Sequence, residues 1–168
     1  MQDFYVPAVS DEHRLSVDLA ACLRAQGELA SATDAWFLQF SRTLPRDQRE
    51  RAMRQRRSAS RTRGELRGWL RDRGWATPHP RVPLSVAKSR GADHSAAIRG
   101  LHRIYSAALR LARDSAYLRA SNKGIVDPHL IRVLAATEDV AVGWARLAGD
   151  IHAAGRPHGR NSVESAAA

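Results

Sequence analysis

Apolar residues recur along this chain at steps of three and four rather than two, and they do so in four separate stretches. That spacing places them on one face of an α-helix, since 3.6 residues complete a turn. In the first stretch Leu15, Leu19, Cys22, Gln26, Leu29, Thr33, Trp36 and Phe40 form a seam with polar members in its middle. Ser10 supplies an N-cap, and Asp11 and Glu12 suit the positive end of the helix dipole. Thr43 and Pro45 mark a restart, because proline is tolerated only in a first helical turn. A second helix then spans about 46 to 73 on a thin seam of Ala52, Ala59, Thr62, Leu66 and Trp69, joined by Met53 and Leu70, and Gly74 stops it.

From Ala76 to Ala92 the period is lost, and Pro78, Pro80 and Pro83 predict an extended crossover. A third helix follows from about Asp93 to Ala120. Its seam of Ala97, Leu101, Ile104, Ala108, Leu111, Ser115 and Leu118 is flanked by Tyr105 and Leu109, a wide apolar stripe. Residues Ser121, Asn122, Lys123 and Gly124 read as a turn. Asp127 before Pro128 is the clearest helix start in the chain, an acceptor at the N-cap followed by a residue whose φ is preset for a helix. The fourth helix runs to about Ala154 on Leu130, Leu134, Thr137, Ala141, Trp144, Ala148 and Ile151, with Gly155 and Pro157 beyond it.

No run alternates with a period of two, so the expected fold is all-α: a four-helix bundle of two helical hairpins joined by the Pro-rich crossover. The expected organisation is an irregular lead-in over 1–9, a single helical domain over 10–154, and a disordered tail over 155–168. A chain of 168 residues is long enough to bury one self-sufficient core.

Charge changes this picture at one place. Between Arg42 and Arg73 stand twelve arginines against Asp47, Glu50, Glu65 and Asp72, a net of eight positive charges out of ten for the whole chain. Spread on a helix of roughly 28 residues, they extend over roughly 40 Å. Guanidinium groups stay ionised at any relevant pH and bind phosphate or carboxylate in a bidentate fork. Arg54, Arg57 and Arg61 share one face with no acid between them. The expected nucleic-acid-binding residues are Arg46, Arg49, Arg54, Arg56, Arg57, Arg61, Arg63 and Arg67, with mainly phosphate contacts and little sequence selectivity. Trp69 and Trp75 are core or hinge packing before they are base-stacking platforms.

Other chemistry is thinly represented. Cys22 is the single cysteine, which excludes an internal disulfide and a multi-cysteine zinc site, and it lies on an apolar seam as a small hydrophobe. Of seven histidines, His94 and His102 can share a side of the third helix, yet neither has a nearby acid at ligand spacing. No glycine-rich phosphate loop is present. Gln26, Thr33 and Thr137 are expected to pair across the core and fix helix register, with a small polar pocket as the alternative. The start of the chain lacks a basic, then apolar leader, and no run of about 18 apolar residues occurs, so a cytoplasmic protein without a membrane span is expected.

The helix order, with the pattern around Leu66, Trp69, Leu70, Gly74 and Pro78 and around Asp127, Pro128, Leu130 and Trp144, resembles the ferritin-like bundles over roughly residues 10 to 153. In metal-carrying members of that family, the resemblance implies Glu-x-x-His pairs that hold two ions. Three residues after Glu12, Glu28, Glu50, Glu65, Glu138 and Glu164 stand Leu15, Ser31, Met53, Gly68, Ala141 and Ala167, so no metal ligand carries over and no cofactor is expected. The leading expectation is therefore a non-enzymatic basic module that binds DNA or RNA, alone or as a small subunit of a nucleoprotein assembly. The alternative is a metal-free ferritin-like bundle that acts through self-association or an acidic protein surface.

Overall fold

A computed structural model of the chain describes residues 11–78, 94–122 and 127–155. Four long helices account for nearly all of them: α1 (Asp11–Phe40), α2 (Arg46–Asp72), α3 (His94–Ser121) and α4 (Pro128–Ala154), with a single 3₁₀ turn at Ser41–Thr43 between the first two. Among the described residues there is no strand, and the fold is the all-α four-helix bundle expected from the periodicity. Ser10, Asp93, Lys123, Gly124, the lead-in, the crossover beyond 78 and the tail beyond 155 lie outside the described residues.

Helix packing runs in a ring, α1 on α2, α2 on α4, α4 on α3 and α3 on α1, with α3 and α4 the most extensive pair and α1 and α2 the least. Cross-links give the directions. Arg51 and Arg73 of α2 meet Asp150 and Asp127 of α4, Cys22 and Trp36 of α1 meet Ser115 and Ala97 of α3, and Arg119 of α3 meets Glu138 of α4. Every neighbouring pair is thus antiparallel, and α2 ends at the opposite end of the bundle from the start of α3.

The helix ends follow their local chemistry. Asp127 caps α4 by accepting from the His129 backbone N–H at 2.7 Å, with Pro128 in the first turn. That bond and the indole N–H of Trp69 are the main causes holding the Asp127 carboxyl below the usual carboxylate value. At the end of α2, Gly74 takes φ +69°, a conformation costly to residues with a Cβ. The Trp75 N–H then reaches the Leu70 carbonyl at 3.0 Å and the Gly74 N–H reaches Arg71 at 2.9 Å, the paired bonds of a Schellman stop. Trp75 also sets its ring edge-on to Trp69, 5.5 Å between centroids, the apolar contact that accompanies such a stop.

Leu19, Leu66, Leu70, Ile104, Leu111, Leu130, Leu134 and Leu147 are fully enclosed, each worth about 1.5–3 kcal/mol of burial. All three large anchors of α2, Leu66, Trp69 and Leu70, sit in its final turns, whereas Gln48, Ala52 and Thr62 line the earlier part. Several seam assignments need correction. Met53, Tyr105 and Leu109 are exposed, because each lies at the edge of a stripe and a ring of four helices gives every helix only two close neighbours. Leu23, Val133, Val140, Ala145 and Leu147 are buried in addition to the expected positions. Ser121 closes α3 rather than opening the turn, and the Asn122 side chain donates to the Leu118 carbonyl at 2.8 Å.

Candidate nucleic-acid interface

Because α2 buries Gln48, Ala52, Thr62, Leu66, Trp69 and Leu70 on one side, its arginines divide by angle around the helix. Those on the flanks reach carboxylates of the neighbouring helices. Arg51 pairs with Asp150 at 2.8 Å and Arg73 with Asp127 at 3.3 Å, both on α4, while Arg56 pairs with Asp34 of α1 at 2.8 Å. Arg56 also lies over the Phe37 ring, 5.2 Å from its centroid, and Arg73 covers Trp69 at 3.6 Å. Arg46 pairs within α2, with Glu50 at 2.9 Å. Such exposed pairs contribute only about 0–1 kcal/mol, so they orient side chains more than they stabilise the bundle.

The remaining arginines of the segment, Arg42, Arg49, Arg54, Arg57, Arg61, Arg63, Arg67 and Arg71, make no ion pair among the described residues, and all but Arg63 are exposed. Arg54, Arg57 and Arg61 stand at i, i+3 and i+7 on the exposed side of the helix, and the nearest carboxylate of α1, Asp34, is engaged by Arg56. From Arg49 to Arg71 the arginines without an ion pair extend over about 33 Å at 1.5 Å per residue, with Glu50 and Glu65 among them.

Two of the residues anticipated for the interface are therefore spoken for, Arg46 by Glu50 and Arg56 by Asp34, and six are not. Arg63 is half-buried against Ala30, Thr33 and Ala59 in a shallow furrow between α1 and α2. A second furrow on the same seam brings Arg46, Arg49, Arg54 and Arg57 around Phe37 and Met53. Phe37 and Met53 are the members of this surface that sequence reasoning did not assign to it. Their signal was present in Met53, an apolar residue set among arginines three and four positions away, but its place on the α1–α2 seam depends on how the helices dock.

Trp69 is buried, and its indole N–H donates to Asp127 at 3.3 Å, so it belongs to the packing rather than to an open stacking surface. His102 meets His152 of α4 ring to ring at 5.2 Å instead of pairing with His94. Cys22 is buried beside Ser115, 3.7 Å between Sγ and Oγ, and desolvation pushes its thiol up to about 11. Among the described residues no three His, Cys, Asp or Glu side chains cluster as a metal site would require, and no helix is long and apolar enough to cross a membrane. Comparison with protein-family models, with curated proteins and with solved structures finds no match to this chain.

Proposed function

We propose that the protein is a non-enzymatic helical module that binds nucleic acid through the outward face of α2, with contacts mainly to phosphates. What supports this reading is the surplus of arginine on α2: Arg46, Arg51, Arg56 and Arg73 are paired with carboxylates, whereas Arg49, Arg54, Arg57, Arg61, Arg67 and Arg71 are exposed and make no ion pair among the described residues. An arginine surplus over this length attracts a polyanion by releasing its condensed counterions, and the affinity then falls steeply with salt. Guanidinium forks suit phosphate oxygens, and the straight helix offers them without a side chain reaching base edges in any defined register. Fluorescence anisotropy of a labelled 30-nucleotide DNA or RNA, titrated with the full chain between low and high salt, tests it. Saturable binding that weakens by orders of magnitude with salt is expected, and affinity that is flat across the series would overturn the reading.

A second reading takes the same face as the seat of an acidic protein segment. Met53 and Phe37 between the arginines, with Leu38 84% exposed nearby on α1, favour it, since phosphate binding has no use for an apolar floor. In that case the bundle acts through assembly, the ferritin-like topology is a scaffold without metal chemistry, and light scattering of the purified chain would show a defined oligomer or complex in place of a monomer.

A further inference from the structure

At the end of the bundle where α1 finishes and α3 begins, all four helices leave an open cavity of about 540 Å³. Its walls are mainly apolar, with Trp36, Phe40, Leu44, Ile98, Leu101 and Ile151, and Thr43, Gln48, His94 and His152 are its polar members. The Trp36 indole is fixed there from two sides. Its N–H donates to the Ala97 carbonyl at 2.9 Å, and the ring lies against Gly100, where a Cβ would collide with it. Among the described residues, the most enclosed polar side chain of these walls is Gln48. Gln48, in the first turn of α2, is 9% exposed and lines the cavity, and its amide makes no hydrogen bond among the described residues and stays accessible from the cavity. An amide that faces a cavity and has no protein partner is available to hydrogen-bond a molecule bound there.

The geometry points to a binding site for a small, neutral, mainly apolar molecule that carries one hydrogen-bonding group for Gln48. The volume lies within the range of pockets that enclose drug-sized ligands. Neutrality follows from the lining, which among the described residues contains no Asp, Glu, Lys or Arg, and whose ionisable members there are His94 and His152. The cavity at the other end of the bundle shows the contrast, being lined by Asp11, Glu12, Asp18 and Asp127 together with Arg14 and Arg73. An ion entering the apolar end would lose hydration and meet no fixed countercharge, whereas a neutral aromatic molecule exchanges water for a preset Trp36 wall. This site is independent of the arginine face and of what that face binds.

N-phenyl-1-naphthylamine, neutral and carrying a single N–H, is a suitable fluorescent probe for the full chain, and 1-benzylnaphthalene, in which CH₂ replaces the N–H, is its competitor. Saturable binding of one probe per chain is expected, unchanged by salt and preferred over the competitor by about 5-fold, the worth of one net hydrogen bond. Ile98→Trp fills the cavity from its rim and is expected to weaken the probe at least about 10-fold with helicity retained, the loss of one favourable burial. Gln48→Leu is expected to erase the preference between the two molecules while leaving the competitor bound. Non-saturable binding, or a preference that survives Gln48→Leu, would overturn the assignment, as would a folded Ile98→Trp chain that binds like wild type.

Discussion

Gln26 shows how a single polar residue on an apolar seam is accommodated. Its amide N–H donates to Thr137 Oγ1 at 2.8 Å, and Thr137 in turn donates to the Val133 carbonyl at 2.8 Å, while Gln26 Oε1 has no partner. The pair joins α1 to α4 across the ring and fixes their axial register. Thr137→Val keeps the shape but strands the whole amide, and the expected loss is about 1–3 kcal/mol in chemical denaturation. Adding Gln26→Leu should recover most of that loss, and the two changes should be coupled rather than additive in a double-mutant cycle. Cys22 makes a separate prediction about pH. Its native thiol is raised from about 9.0 to about 11, first by desolvation, so the unfolded chain ionises before the folded one. The stability tied to this group is then constant below pH 9 and declines as pH rises from 9 to 11. The pH profile of the denaturation midpoint for wild type and Cys22→Ala should diverge only in that alkaline window.

At the scale of the element, the helix starts and stops were the most legible features. Asp127 before Pro128 and Gly74 after Asp72 announce their roles through local chemistry alone, and the structure gives the cap and the positive φ that they imply. Cross-helix relations were not legible in the same way. Nothing in the sequence near Arg56 indicates that Asp34 will neutralise it, because the pairing depends on how α1 and α2 slide and rotate against each other. Gln48 is not legible as a core position, because its polar type masks a seam position four residues before Ala52. Gly100 of α3 is another position whose meaning appears only on docking, since it looks like a weak point in a helix. Alanine there would favour the helix by about 1 kcal/mol. Its Cβ would drive into the buried Trp36 ring, and overpacking of that kind costs about 1–3 kcal/mol. Collision with a confined ring outweighs propensity, so Gly100→Ala should lower the melting temperature and shift the Trp36 emission.

The whole molecule sets a helix with few large apolar anchors onto a bundle whose other three helices carry most of the core, which leaves the solvent side of α2 free for charge. Net charge alone would let any arginine contribute to polyanion binding, wherever it stands. A localised interface would not, and α3 supplies the control, because it lies diagonally across the ring from α2 and carries exposed Arg99, Arg103 and Arg110. Arg54, Arg57 and Arg61 changed together to Gln remove as much charge as Arg99, Arg103 and Arg110 changed to Gln. The deciding measurement is the slope of log affinity for duplex DNA against log salt in wild type and in these two triple variants, with helicity checked in each. The expected result is a slope reduced by about 3 in the α2 variant, close to one per lost phosphate contact, and a wild-type slope in the α3 variant. Equal reductions in both variants, or no salt dependence in the wild type, would contradict a binding face on α2.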